Sequence, residues 1–153
     1  MRPCVAIGFC TELRRQELLG LRWENIDFTR KTLYIPKTKT EQPRTLGLTA
    51  DIEHILQGLN PQPRGPVFRV TEQQLKYQLN KASTKSGLGH IRPHDMRHSF
   101  SVNFLNRGGT LEHLQRLLGH SKITTTQRYL RFKTGEIASK MMVMDGMIPL
   151  NIV

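Results

Sequence analysis

The chain has 153 residues, with 23 Lys and Arg against 12 Asp and Glu, and its formal net charge is +11. That length is enough for one hydrophobic core without disulfides or metal, and no apolar run approaches the roughly 20 residues needed to cross a bilayer. A membrane protein, a disulfide-rich domain and a disordered chain are therefore excluded, and with only Cys4 and Cys10 as cysteines the expected compartment is a reducing cytoplasm.

The N-terminal half of the chain predicts a helix, a small sheet and a second helix. Leucines three residues apart among charged residues indicate an amphipathic helix that begins near Thr11 or earlier. Asp51 is a candidate N-cap for the second helix, which ends at the prolines and glycine of residues 60–66. Between the two helices lie three short extended segments, rich in Ile, Leu, Tyr and Thr. These segments are residues 25–28, 32–35 and 44–48.

The C-terminal half predicts only helices. Pro93 is suited to the first turn of a helix, where its missing N–H is not needed, and Thr110 is a candidate N-cap. The predicted helices span about 71–85, 93–107, 110–118 and 124–131. The expected fold class is therefore α+β, mainly helical, with a small three-stranded antiparallel sheet.

Positive charge is concentrated in one part of the chain. Residues 64–133 contain 13 Lys or Arg against three acids, and five of the six histidines. Because each phosphate neutralised by a protein releases a counterion, this density favours a nucleic acid partner. The alternative is a solvated basic surface that only maintains solubility. A membrane surface is disfavoured because the basic residues do not lie opposite one continuous apolar stripe.

Two pairs of polar residues are candidates for chemistry, although each is weak evidence alone. Arg14 and Glu17 are three residues apart, and on one helix such a pair is typical of an ordinary ion pair. His120 precedes Tyr129 by nine residues in a basic segment. A tyrosine near a helix end is usually a packing residue, so the case for Tyr129 depends on its spacing from the histidine.

A third group, in the sequence HDMRHSF, places three polar residues on one helical face. His94 and Arg97 are three apart, and His94 and His98 have the i, i+4 spacing of a zinc pair. The metalloprotease pattern needs Glu directly after its first His, whereas Asp95 follows here, and no third ligand is evident. No metal is therefore expected, and His98 is interpreted as a core or helix-capping residue.

Taken together, these motifs resemble the catalytic domain of the tyrosine recombinases, the phage integrase family. TELRRQEL resembles the family helix that carries the first arginine and a supporting acid, here Glu17. KTEQPRTLGL resembles the strand-turn string that carries a lysine, for which Lys37 is a rival position. HDMRH and LGH resemble the two histidine motifs, and the nucleophile follows nine residues after the second. The resemblance implies six catalytic residues: Arg14, Lys39, His94, Arg97, His120 and Tyr129.

The resemblance also implies a reaction, the cleavage and rejoining of DNA strands through a 3'-phosphotyrosine on Tyr129. Arg14 and Arg97 would neutralise the phosphodiester, because a guanidinium binds phosphate bidentately where lysine offers a point charge. A tyrosine hydroxyl needs a base, which would be His94. His120 would donate a hydrogen bond to a phosphate oxygen. The lysine would protonate the leaving 5'-oxygen, and no cofactor or metal would be required.

The same resemblance sets expectations for organisation and partners. Residues 1–132 would form the catalytic domain, and the apolar segment 133–153 would be a tail that docks on a neighbouring protomer. The N-terminal DNA-clamping domain of the family would be absent. The expected partner is double-stranded DNA, bound by a tetramer when the protein is full-length, with no membrane and no small-molecule substrate.

One departure from the family keeps other functions open. Glu12 stands where the family usually has glycine, and its carboxylate would weaken phosphate binding if it pointed inward. A DNA-binding remnant without catalytic activity is therefore an alternative. A type IB topoisomerase or a telomere-resolving enzyme shares the chemistry, although the compact motif spacing is more similar to that of an integrase.

Overall fold

The computed structural model describes residues 2–36, 43–87, 89–120 and 122–132. It confirms the α+β class, with helices around a three-stranded antiparallel sheet. Within these residues the α-helices are α1 (Arg2–Cys10), α2 (Arg15–Leu19), α3 (Ala50–Gln57), α4 (Glu72–Lys85), α5 (Pro93–Asn106), α6 (Leu111–Leu118) and α7 (Ile123–Gln127). The strands are β1 (Ile26–Asp27), β2 (Thr32–Ile35) and β3 (Arg44–Gly47), and two 3-10 helices span Trp23–Asn25 and Arg128–Phe132.

The sheet has the strand order β1-β2-β3, so consecutive strands are neighbours. Leu33 pairs with Ile26 on one side and with Leu46 on the other. Because successive side chains of a strand point to opposite faces, Leu33 and Ile35 are buried while Tyr34 between them is exposed. The three predicted extended segments are thus confirmed, and β2 has the predicted bounds.

Buried apolar side chains form two separate clusters. The larger cluster joins α1, α2, the sheet, α3 and α4, and the smaller one joins α5, α6 and the C-terminal 3-10 helix. The buried members of the smaller cluster are Val102, Leu105, Leu114, Leu118 and Tyr129. Helix α5 belongs to both, because its Met96 lies in the larger cluster. Among the residues just described, no helix is long and apolar enough to cross a membrane.

A close contact between α1 and α5 sets the position of the α5 N-terminal half. A Cβ atom on Gly8 would lie 2.8 Å from Met96 Sδ and 3.1 Å from Leu18 Cδ2. Since any larger side chain at Gly8 would displace these neighbours, the glycine allows the two helices to approach. Met96 directly precedes Arg97, so this contact also positions that arginine.

Two predicted helix starts were wrong. The chain from Thr11 to Arg14 is not helical, and α2 begins at Arg15. The reason is that the Glu12 carbonyl accepts a bond from Arg97 and the Glu17 carboxylate takes the Arg14 N–H, as in an N-terminal cap.

The second wrong start is that of α3, which is capped by Thr49 and not by Asp51. The Thr49 Oγ1 accepts a hydrogen bond of 3.4 Å from the Ile52 N–H. Asp51 lies instead in the first turn, where a negative charge is favourable near the helix N-terminus. The predicted starts at Pro93 and after Thr71 and Thr110 are confirmed.

Candidate active site

One open cleft of about 1120 Å³ brings together five of the six predicted catalytic residues. The cleft lies where α2, α4, α5 and the C-terminal 3-10 helix meet. These five predicted residues are Arg14, His94, Arg97, His120 and Tyr129. The sixth, Lys39, and its rival Lys37 lie outside the described residues. Residues from four separate segments of the sequence therefore meet at one site.

The lining of this cleft is strongly basic. Glu17 is the one acid among the described lining residues. The six cationic residues are Arg14, Arg15, Lys76, Arg92, Arg97 and Arg128, and three histidines, His90, His94 and His120, accompany them. Over the ranges that the structure covers, no three His, Cys, Asp or Glu side chains are grouped so as to hold a metal ion. The charge of the cleft suits a polyanion.

Arg97 is the central residue of the cleft and is held by backbone on two sides. Its side chain is buried, with 3% of the residue exposed. Nη1 donates to the carbonyl of Glu12 and Nη2 to that of Leu118, both at 2.6 Å. Nη2 also lies 3.5 Å from His120 Nε2. Because carbonyls fix the guanidinium from both sides, its position needs little reorganisation when an anion binds.

Arg14 lies at the exposed side of the cleft, just before α2, and therefore does not share a helix with Glu17 as predicted. The Glu17 carboxylate accepts the Arg14 backbone N–H at 2.7 Å and two hydrogen bonds from Arg44, at 2.8 and 2.9 Å. Burial raises the pKa of Glu17, but the bonds from Arg44 and Arg14 outweigh it and hold that pKa below its usual value. The ionised acid thus anchors the backbone that carries Arg14.

Glu12 is buried between these groups, with 3% of the residue exposed. Its Oε1 atom has no hydrogen-bond partner among the described residues. Burial raises the pKa of Glu12 to about 7, although a hydrogen bond with its own backbone N–H and the charges of Arg44 and Arg97 act in the opposite direction. The carboxyl group therefore passes from mainly neutral to mainly ionised as the pH rises through this value, and the negative charge expected from the sequence develops over the same range.

His120 is placed by the end of α6. Gly119 ends that helix in a left-handed conformation with φ of 67°, which a glycine adopts without steric cost. The His120 Nδ1 lies 2.9 Å from Thr126 Oγ1, and Nε2 faces Arg97. Burial, followed by the positive charges of Arg97 and Arg14, lowers the pKa of His120 to about 4. The imidazole is therefore neutral at pH 7 before an anion enters the cleft.

Tyr129 belongs both to the cleft and to the smaller apolar cluster. It is 2% exposed, and its ring lies 5.3 Å from the ring of His98 at an angle of 46°. His98 is half-buried, and burial lowers its pKa. The prediction of His98 as a core or capping residue therefore missed its contact with the candidate nucleophile. His94 is exposed in the first turn of α5.

The far wall of the cleft is formed by α4. Tyr77 is 64% exposed there, and Lys76 pairs with Glu72, which also pairs with Arg15 at 3.0 Å. His90 also lines the cleft, and its Nδ1 atom lies 2.5 Å from Asn80 Oδ1. The sequence alone had indicated no role for this histidine. Lys76 and Glu72 of α4 are thus connected to Arg15 of α2 by an exposed ion-pair network.

Sequence reasoning missed two residues that support the site. Arg44 binds Glu17, and its only signal in the sequence was its place in the string KTEQPRTLGL. Thr126 is buried against His120, and nothing in the run of three threonines distinguished it. Neither residue is assigned to the chemistry. Each instead orients a residue that is.

Comparisons with known proteins agree with this geometry. The sequence model of the phage integrase family matches residues 2–136. Tyrosine recombinase XerC of Pediococcus pentosaceus is 31% identical in an alignment 137 residues long, which covers 78% of this chain and 45% of that protein. The chain thus spans about half the length of the curated relatives it matches.

Solved structures show the same fold. XerA recombinase has a TM-score of 0.73 at 20% identity, over 96% of this chain and 58% of that one. The Tn1549 transposon integrase in complex with transposon right end DNA has a TM-score of 0.71 at 21% identity, over 94% of this chain and 57% of that one.

Proposed function

Because the chain belongs to the phage integrase family, we propose that it is the catalytic part of a site-specific recombinase, which cleaves and rejoins DNA strands through a 3'-phosphotyrosine. One observation carries the proposal. A single basic cleft brings Tyr129 together with two arginines and two histidines whose sequence motifs match the family. The relatives named above are recombinases and integrases, and none of them is a topoisomerase. The topoisomerase alternative is therefore not favoured.

Binding of the scissile phosphodiester is the first step that we assign to the cleft. Arg97 would direct the positive charge of its guanidinium at one non-bridging oxygen, since the carbonyls of Glu12 and Leu118 already fix its orientation. Arg14 would approach from the exposed side. The phosphate charge would offset that of the arginines, so the pKa of His120 would rise from its low value and favour a hydrogen bond to the phosphate.

Strand cleavage is the second step. The Tyr129 hydroxyl would attack the phosphorus as His94 takes its proton, which forms the bond between tyrosine oxygen and phosphorus. The bond from phosphorus to the 5'-oxygen breaks, and Lys39 or Lys37 would supply the proton that makes a free 5'-hydroxyl. Attack of another 5'-hydroxyl on the phosphotyrosine reverses these changes and joins a new strand, so no external energy source is needed.

The organisation of the active assembly is also a proposal. Residues 1–132 would be the catalytic domain, and the tail 133–153, which lies outside the described residues, would dock on a neighbour in a tetramer on DNA. The Tn1549 transposon integrase is seen in complex with DNA, which supports DNA as the partner. A reducing cytoplasm fits Cys4 and Cys10, which are both free.

A trapping experiment tests the nucleophile. The purified chain is mixed with a pool of nicked duplexes randomised around the nick, so that cleavage releases a short fragment and strands the enzyme on DNA. The wild type should form a complex that resists denaturant, and mass spectrometry should find the nucleotide on Tyr129. The Tyr129→Phe variant should form none, because it lacks the attacking oxygen.

The matched control is Tyr77→Phe, since Tyr77 lines the same cleft but is exposed on α4. This variant should form the complex at the wild-type level. If both tyrosine variants form the complex, the assignment of Tyr129 is wrong. If the wild type binds the duplexes in a salt-dependent way but forms no covalent product, the chain is a DNA-binding remnant.

A further inference from the structure

We infer that Glu12 is a positioning residue that couples DNA binding to proton uptake: its carboxyl group must be neutral for the cleft to offer its full positive charge to a phosphate. This inference builds on the proposed function, because it concerns the same phosphate-binding cleft. It assigns a role to the residue that stands where the resemblance to the family predicts a glycine.

The position of Glu12 is the first support. Its backbone carbonyl receives the 2.6 Å hydrogen bond from Arg97 Nη1, so residue 12 already forms part of the socket of that guanidinium. Its side chain is buried, and Oε1 makes no hydrogen bond among the described residues. An ionised carboxylate in such a position is costly, whereas a neutral carboxyl is much less so.

The charges around Glu12 give the direction of the coupling. Arg44 of β3 and Arg97 of α5 face it with positive charge, and Glu17 of α2 faces it with negative charge. An ionised Glu12 would offset part of the charge that Arg97 presents to the cleft. Conversely, a bound phosphate would repel the carboxylate and compete for the same guanidinium. Protonation of Glu12 and phosphate binding therefore favour each other.

The pH range follows from linkage. Burial already raises the pKa of Glu12 to about 7 in the free protein, and a bound phosphate raises it further. DNA affinity is then greatest below pH 7, where Glu12 is protonated both in the free protein and in the DNA complex. It falls as the pH rises from the pKa of Glu12 in the free protein to its pKa in the complex. If the phosphate raises the pKa by about one unit, the loss is about tenfold.

The experiment compares binding and trapping in the wild type and in Glu12→Gln, which keeps the shape but cannot ionise. Affinity for the nicked duplexes is measured by fluorescence anisotropy between about pH 6 and 9, and the amount of covalent complex is measured in parallel. Over this pH range, the affinity of the wild type and its yield of covalent complex should each fall about tenfold more than those of Glu12→Gln. The two proteins differ only at residue 12, so the ratio of the two curves isolates Glu12.

Glu112→Gln is the matched control, because Glu112 is an exposed acid on α6 away from the cleft lining. Its pH profile should follow the wild type. Parallel profiles for Glu12→Gln and the wild type would overturn the inference. If neither protein forms a covalent complex while both bind DNA, the proposed function fails, and the pH dependence of binding still decides the role of Glu12.

A direct measurement removes the dependence on one variant. With glutamate labelled by carbon-13 at Cδ, the resonance that is lost in Glu12→Gln, or in Glu12→Ala if the first variant does not fold, belongs to Glu12. Its titration midpoint should move upward by about one pH unit when one of the nicked duplexes is added. A midpoint unchanged by DNA would contradict the coupling.

Discussion

Two of the walls of the cleft are held by different means. The phosphate wall, formed by Arg14 and Glu17 and supported by Arg44 through Glu17, stands on the larger cluster, which has 16 buried apolar residues among those described. The nucleophile wall, formed by His120 and Tyr129, stands on the smaller cluster, which has five. Charged hydrogen bonds fix the first wall, and apolar packing fixes the second, together with neutral hydrogen bonds from His120 to Thr126 and Gln115.

This difference suggests a division of labour between binding and chemistry. A wall that meets a phosphate gains from rigidity, because preorganised donors need not rearrange when the anion arrives. A wall with few buried contacts opens locally at lower free energy than one on a large core. Arg97 connects the two, since its guanidinium bonds Glu12 on one side and Leu118 on the other.

The largest effect is expected from Glu17→Gln in the phosphate wall. The substitution leaves Arg44 buried without its carboxylate, and breaking a buried ion pair from one side costs about 3 to 5 kcal/mol. The free energy of unfolding, measured by urea denaturation at pH 7, should fall by this amount. Covalent complex formation should fall as well, because the Arg14 backbone loses its charged acceptor.

Two further variants test the cause of that loss. Glu72→Gln removes an acid that pairs with Arg15 and Lys76 at the protein surface, and such solvent-screened pairs contribute little, so the loss of stability should be much smaller than in Glu17→Gln. The double variant Glu17→Gln with Arg44→Met replaces both buried partners and should regain most of the stability. If it is no more stable than Glu17→Gln alone, the loss of the ion pair between Arg44 and Glu17 is not the source of the cost.

A somewhat smaller loss of stability, but a selective loss of activity, is expected from Leu114→Ala in the smaller cluster. Leu114 is fully buried beside Tyr129, and truncation of a buried leucine costs about 3 kcal/mol. The rate of covalent complex formation should fall further than stability alone predicts, because the cavity loosens the nucleophile. Urea denaturation and single-turnover trapping measure the two effects.

The control is Leu56→Ala, since Leu56 is equally buried but lies in the larger cluster. At a temperature at which both variants are folded, this protein should trap DNA at close to the wild-type rate. Equal rate losses in the two variants would show that the clusters act as one unit, and the contrast between the walls would then fail.

The same contrast explains what the sequence could predict. Strand β2 has its predicted bounds and α5 begins at Pro93, because alternation and proline are local signals. The helix predicted from Thr11 failed because the Glu12 carbonyl is taken by Arg97, which is 85 residues away. A pattern confined to neighbouring residues contains no information on such a contact.

The site shows the same limit. The motifs identified five of the residues that line the cleft, because their types and order carry the family resemblance. They did not identify the partners that hold those residues in place. Arg44 and Thr126 meet Glu17 and His120 only after the chain folds, and the Tyr129 contact with His98 likewise depends on how α5 packs against the last 3-10 helix.

The smallest effect is expected from Thr126→Val, which tests the side-chain hydrogen bond between Thr126 and His120 in the nucleophile wall. The substitution keeps the shape of a fully buried side chain but removes the oxygen that lies 2.9 Å from His120 Nδ1. Loss of such a bond costs about 1 kcal/mol of stability. The histidine ring is then free to rotate away from the phosphate, so the trapping rate should fall roughly tenfold, equivalent to about 1.4 kcal/mol in the barrier.

Thr126→Ser retains the oxygen and should restore the rate, whereas Thr124→Val at an exposed neighbouring position should leave it unchanged. A trapping rate in Thr126→Val equal to the wild type would mean that Arg97 alone orients His120, and the nucleophile wall would then depend on the same guanidinium as the phosphate wall.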